Sequence, residues 1–243
     1  MKFRDELKDV KRIVIKVGSN VVTRSDGSYD LRRLRILVED ICELRQAGVQ
    51  VLLVSSGAVN IGRVLLDPNL FKEDKIEAQQ AASSLGQPKL MQKYCGLFEE
   101  NNSLCSQVLL THEDFKCPER HSNAKKTVEV LLENKVTPIL NENDTISFVE
   151  ITFGDNDQLA ALVAGLIEAD LLLLITSAEG LFDKDPEQEG ARLFKRVEYG
   201  QDLTRIETKV LSANGRGGMK SKLEAVKKAT EAGIPAIISS KDN

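Results

Sequence analysis

Short aliphatic runs alternate with amphipathic stretches along the whole chain. The runs are residues 12–17 (RIVIKV), 49–54 (VQVLLV), 104–110 (LCSQVLL), 136–140 (VTPIL), 171–175 (LLLLI) and 234–238 (IPAII). Each is brief and rich in β-branched or other aliphatic side chains without polar alternation, the pattern of strands covered on both faces. Between the first two, Leu31, Leu34, Leu37, Val38, Ile41 and Leu44 recur at helical spacing, with Asp30 placed to cap the start and Gly48 to end it. Helix, glycine, buried strand recurs at Glu231-Ala232-Gly233 before IPAII. Stretches 75–101, 122–134 and 156–168 also read as helices. This alternation predicts an α/β fold, a three-layer α/β/α sandwich with a mostly parallel central sheet. With no repeat, low-complexity tract or Pro/Ser-rich linker, residues 1–243 read as a single domain with two lobes around a crevice. Ligands of such sheets bind beyond the carboxyl ends of the strands.

Composition narrows the function classes. A chain of 243 residues that is 42% hydrophobic and 29% charged is neither disordered nor fibrous. Its 33 Lys and Arg against 37 Asp and Glu leave a net charge of −4, which argues against a general nucleic-acid surface. No window reaches the roughly 18 unbroken apolar residues of a membrane span, and the opening MKFRDELKDVKR mixes both charges, unlike a signal peptide. Cys42, Cys95, Cys105 and Cys117 form no CxxC pair, and neither His112 nor His121 lies near a cysteine. Reduced cytoplasmic thiols and no zinc site are the expectation, with neither nucleic acid nor membrane as partner.

The strand exits carry the chemistry. Lys16 sits inside the first aliphatic run, where a charge is costly without a partner, and Gly18-Ser19 behind it lets backbone N–H groups approach an anion; a snorkelling lysine before an ordinary turn is the plainer alternative. Ser55-Ser56-Gly57 offers hydroxyls and amides but lacks GxSxG. Asn141-Glu142-Asn143-Asp144 follows the fourth run directly, and Gly154-Asp155-Asn156-Asp157 follows an apolar, hairpin-like stretch at 147–153. Turn formation and capping by Asp155 or Asn156 explain part of this, not two clusters. The fifth run exits through Thr176-Ser177. Gly215-Arg216-Gly217-Gly218-Met219-Lys220-Ser221-Lys222 then places glycines and cations before a helix, a polyphosphate cradle without the GxxxxGK[ST] pattern. Lysines on separate elements, a glycine-rich cradle and an Asn/Asp centre suit phosphoryl transfer by positioning and charge neutralisation.

The segments IVIKVGSN, LLVSSGAV, PILNENDTIS, GDNDQLAA, LLLITSAEGLF and GGMKSKLEA, in this order, resemble the glutamate 5-kinase (γ-glutamyl kinase) family of the amino-acid kinase fold. The resemblance runs from about residue 11 to 238. NEND followed by GDND is its specific part; the lysine-glycine start and GGM loop are shared with aspartate, acetylglutamate and uridylate kinases. It implies ATP-dependent phosphorylation of the L-glutamate γ-carboxylate to L-glutamyl 5-phosphate, the first step of proline biosynthesis, with Mg2+ bridging the phosphates. By motif, it implies that Lys16 and Lys222 stabilise the transferring phosphoryl group and Asp157 orients both. Ser56, Gly57, Asn141, Asp144 and Asn156 would bind glutamate. Lys16, Gly18, Ser19, Thr176, Ser177, Arg216, Gly217, Gly218, Met219, Lys220, Ser221 and Lys222 would lie along ATP. The N-terminal part would then be mainly glutamate-binding and the part from about residue 170 mainly ATP-binding. Family members are commonly homo-oligomeric and feedback-inhibited by proline.

A carboxylate with an ordinary pKa near 4.3 is already ionised at neutral pH and needs no general base, in keeping with the absence of His from every motif. Departures from the family lie at Ser177, where Asp is common, and at Arg216 and Lys220, where small hydroxyl residues are common. The sequence stops soon after residue 238, so no PUA domain of the kind many members append is expected within these 243 residues, which fit either a shortened member or part of a longer chain. A closing loop over the acyl phosphate is expected at 200–218. A sister kinase acting on another acceptor, and a catalytically silent glutamate or proline sensor, are the alternatives.

Overall fold

The computed structural model describes residues 7–73, 75–146, 156–177, 179–183, 188–198, 200 and 218–240. The six aliphatic runs form strands β1 (Arg12–Val17), β2 (Gln50–Ser55), β3 (Leu104–Leu110), β4 (Val136–Glu142), β5 (Leu171–Thr176) and β6 (Ala236–Ser240). They make one sheet in the order β3-β4-β2-β1-β5-β6, with every pairing parallel. Helices α1 (Ser19–Val22), α2 (Leu31–Gln46), α3 (Ala58–Arg63), α4 (Ile76–Glu100), α5 (His112–Lys116), α6 (Pro118–Glu133), α7 (Asn156–Leu166) and α8 (Met219–Glu231) connect them. Asp30 caps α2, its carboxylate accepting from the Arg33 N–H at 3.2 Å.

Four strands run past their aliphatic patterns. β2, β4, β5 and β6 end on Ser55, Asn141-Glu142, Thr176 and Ser239-Ser240, so the hydrogen-bonded ladder continues into polar residues that hydrophobicity does not mark. β6 begins two residues later than IPAII suggests, because Pro235 has no N–H and contributes only its carbonyl, which accepts from Leu172. Helix α6 begins earlier than expected, with Pro118 in its first turn, where a missing N–H costs nothing. The apolar stretch 147–153, the Gly154-Asp155 half of the second cluster, and loop residues 201–217 with Arg216 and Gly217 lie outside the described residues.

Strand alternation sorts the core into two layers. Ile13, Ile15 and Val17 of β1, with Val51 and Leu53 of β2 and Ile139 of β4, pack against α2 and α4. Val14, Leu52, Val54, Leu140, Leu172 and Leu174 face α6, α7 and α8. The architecture is therefore a three-layer α/β/α sandwich. On the first face, α3 crosses α4 at backbone contact: a Cβ on Gly62 would lie 1.7 Å from the Ala82 carbonyl oxygen, and one on Gly86 1.8 Å from that of Ala58. Only hydrogen at both positions permits this approach, and Ser83 and Gln87 of α4 meet Asp144 and Asn141 at the exit of β4. Among the described residues, no helix is long and apolar enough to cross a membrane.

Candidate active site

The same alternation decides which polar residues meet. Lys16 shares the parity of Val14 and so faces α7 and α8, where its ammonium lies 2.5 Å from Asp157 Oδ1. Lys222, in the first turn of α8, reaches the other oxygen, Asp157 Oδ2, at 2.9 Å. All three side chains are buried, Asp157 completely. Burial by itself would push the Asp157 carboxyl up, but the two ammonium groups overcome it and hold the pKa below the ordinary carboxylate value. Two cations on one buried anion give the triad a net positive charge at the carboxyl ends of β1 and β5. Lys16 is thus no snorkelling side chain.

On the opposite face, residues of the other parity make an amide and hydroxyl network. Asn141, near the end of β4, donates from Nδ2 to Gln87 Oε1 at 2.9 Å, and Gln87 Nε2 lies 3.3 Å from Gln107 Oε1 on β3. Ser55 and Tyr94 share a hydrogen bond between hydroxyls at 2.8 Å. Asp144, just beyond β4, accepts from Ser83 Oγ at 2.9 Å. Gly57 takes φ +113°, a conformation open to glycine, and its missing Cβ leaves room for Val22.

The two networks meet through consecutive residues at the start of α7. Asp157 turns to the lysines, while Asn156 reaches over the end of the sheet to the other face. Its Nδ2 lies 2.8 Å from Asn141 Oδ1, 2.9 Å from Ser56 Oγ and 3.2 Å from the Ser55 carbonyl oxygen. Its side-chain amide therefore bridges strands. Of the two residues expected to cap, Asn156 is the first residue of α7 and sends its side chain to Ser56 and Asn141, while Asp155 lies outside the described residues.

Thr176 is buried at the end of β5, while Ser177 is exposed beside it. Gly18 immediately precedes α1, whose first residue is Ser19, and an added Cβ there would stand 4.0 Å from the Lys16 ammonium. Gly218 is the N-cap residue of α8 and offers no side-chain cap. Met219 follows it, and Lys220 is exposed. Among the described residues, Ser221 Oγ is buried without a hydrogen-bond partner. A helix start carrying an orphaned hydroxyl beside Lys222 suits phosphate oxygens. No group of three or more His, Cys, Asp or Glu able to hold a metal occurs among the described residues.

Four participants escaped the sequence reading: Ser83, Gln87, Tyr94 and Gln107. The available signal was Gln79, Ser83 and Gln87 at i, i+4 and i+8 along α4, all buried. In sequence such a stripe reads as a helix's solvent face.

The model of the amino acid kinase family matches residues 11–240. A glutamate 5-kinase of Symbiobacterium thermophilum is 41% identical over 239 residues, covering 97% of this chain and 90% of that protein. One from Bacteroides thetaiotaomicron is 40% identical over 227 residues, 93% of this chain. The chain spans 63% of the length of that relative and 62% of a glutamate 5-kinase from Maridesulfovibrio salexigens that is 43% identical. In architecture it is similar to the carbamate kinase of Giardia lamblia bound to AMP-PNP, with TM-score 0.68 and 18% identity over 96% of this chain and 94% of that one. The UMP kinase of Bacillus anthracis gives TM-score 0.67 at 18% identity, over 96% and 88%.

Proposed function

The chain belongs to the amino acid kinase family, and from that premise we propose that it transfers the γ-phosphoryl group of ATP to the γ-carboxylate of L-glutamate. The observation that carries the reading is Asp157 holding two lysines from different elements, adjacent to Asn156 in a separate polar pocket. One side of the sheet's carboxyl edge supplies cations, the other supplies hydroxyl, amide and carboxylate groups. An amino acid needs the second set: Asp144 for its ammonium, Ser56 and the Asn141–Asn156 amides for its carboxylates. The part from about residue 170, with Thr176 and the start of α8, serves ATP, and the preceding part serves glutamate.

The attacking carboxylate is an anion approaching another anion, so the barrier to overcome is charge repulsion. Lys16 and Lys222 meet the transferring group from two sides, and Asp157 fixes both ammonium positions before the reaction begins, sparing reorganisation. The Gly218 end of α8, its N–H groups and the Ser221 hydroxyl hold phosphate oxygens. Magnesium, when bound, would neutralise phosphate charge. Feedback inhibition by proline and homo-oligomeric assembly are further expectations, carried by the resemblance alone.

The deciding experiment measures ADP release from Mg-ATP with L-glutamate, using hydroxylamine to trap acyl phosphate as hydroxamate. Aspartate, N-acetylglutamate and UMP serve as parallel acceptors. Glutamate-dependent ADP together with γ-hydroxamate is expected. Turnover confined to another acceptor would transfer the protein to a sister activity, and glutamate binding without turnover would make it a sensor.

A further inference from the structure

None of the four cysteines has a place in the phosphoryl-transfer reading, yet the fold brings two of them together. Cys95 lies in the last turns of α4 and Cys105 is the second residue of β3. Their sulfurs stand 3.6 Å apart, and both side chains are partly exposed. The turn between them is closed by backbone bonds, Asn102 N–H to Glu99 O at 2.9 Å and Ser103 N–H to Phe98 O at 2.9 Å, with Asn102 at φ +51°. The pair is therefore built into the α4–β3 junction. A disulfide needs about 2.05 Å between sulfurs, so side-chain rotation and a small approach of helix and strand would make the bond.

The pair also has a neighbour that matters. Gln107 lies two residues along β3 from Cys105, on the same side of the strand, and contacts Gln87 of α4. Gln87 in turn accepts from Asn141, while Tyr94, next to Cys95, holds Ser55. The thiols and the two glutamines are successive cross-links between one helix and one strand.

We infer that Cys95 and Cys105 form a reversible intramolecular disulfide that pulls α4 against β3 and weakens glutamate binding through Gln87 and Asn141. The oxidant is a small-molecule disulfide such as glutathione disulfide. One protein thiolate attacks it, forming a mixed disulfide and releasing one glutathione thiolate. The second cysteine then attacks the protein-bound sulfur and releases the other. Two protein thiols lose two protons and two electrons in total, and glutathione disulfide gains them as two thiols. Burial, reinforced by Cys95 alongside, pushes the Cys105 thiol well up, so the exchange is slow at neutral pH and accelerates in alkali.

The bond stands on the sulfur geometry; its effect on glutamate rests on the proposed function. Incubation of the folded chain with glutathione disulfide, alkylation of remaining thiols and peptide mapping reads the bond without any activity assay. The expected product is a Cys95–Cys105 disulfide, with Cys42 and Cys117 alkylated and dithiothreitol restoring both thiols. Retained glutathione adducts, or unchanged thiols in the folded protein, would overturn it. In kinetics, the oxidised form should show a severalfold higher glutamate KM, with kcat within about twofold because the lysine triad lies on the other face. Cys105→Ser should behave like the reduced protein under both conditions. A mapped disulfide with unchanged glutamate saturation would refute the coupling. If the chain does not turn over glutamate, calorimetric glutamate binding in the two redox states decides the coupling, and equal or absent binding rejects it.

Discussion

Asp157 shows how much one side chain can organise. Fully buried, it is tolerable as an anion only because Lys16 and Lys222 occupy its two oxygens. Its folded-state pKa is depressed, so its contribution to stability is complete above the unfolded value near 3.9 and is lost as the pH falls through the still lower folded value. Asp157→Asn should therefore lose about 3–5 kcal/mol at neutral pH, and denaturant titrations should show the gap to the unsubstituted protein closing below about pH 4. A gap independent of pH would contradict the ion-pair account. The neighbouring residues split by role. Lys222→Ala should lower kcat far more than it raises the glutamate KM, and Asp144→Ala should do the reverse. Initial-rate kinetics separate the two, and an unchanged glutamate KM in the Asp144 variant would reject its assignment.

The long helix α4 is the element that carries most beyond its propensity. Its glycines are not equivalent. A Cβ at Gly86 would stand 1.8 Å from Ala58 O and 2.7 Å from Gly62 N, whereas one at Gly96 meets nothing within 4 Å. Gly86→Ala should cost about 1–3 kcal/mol or more by forcing α3 and α4 apart, and the same shift should carry Ser83 and Gln87 away from Asp144 and Asn141. Gly96→Ala, in the same helix, should leave stability unchanged or raise it by up to about 1 kcal/mol. Thermal melts of the pair test the crossing, since equal effects would mean that helix propensity alone was at stake. On β4, Pro138 brings no N–H to the ladder, and the register with β2 covers only Leu53↔Ile139 and Val54↔Leu140, directly after it. The ladder to β3 runs the full strand.

For the molecule as a whole, the sheet separates two kinds of chemistry and joins them at one edge. Cations gather on the α7–α8 face and hydroxyl, amide and carboxylate groups on the α4 face, with Asn156-Asp157 spanning the rim. Nucleotide and acceptor should then bind independently enough to be seen apart. ATP at about 100 times its dissociation constant should stabilise the fold by about 2.7 kcal/mol, raising the melting temperature by about 5–11 °C for a chain of this size without glutamate present. No shift at saturating nucleotide would count against the cradle at α8.

The parallel sheet was legible because buried strands between amphipathic helices leave an aliphatic signature, whereas which helices cover the side that Lys16 shares with Val14 was decided by the packing. The strand exits, rich in Asn, Asp, Ser and Gly, marked the candidate site because ligands of parallel sheets bind beyond the carboxyl ends of the strands. The chain alone left open which polar groups pair. Gln87 meets Asn141 across 54 residues of sequence, Ser83 meets Asp144 across 61, and Lys222 meets Asp157 across 65. Those contacts depend on how closely helices cross and in what order strands lie, and local periodicity carries neither. A buried polar stripe and an exposed one read alike until a second surface covers one of them.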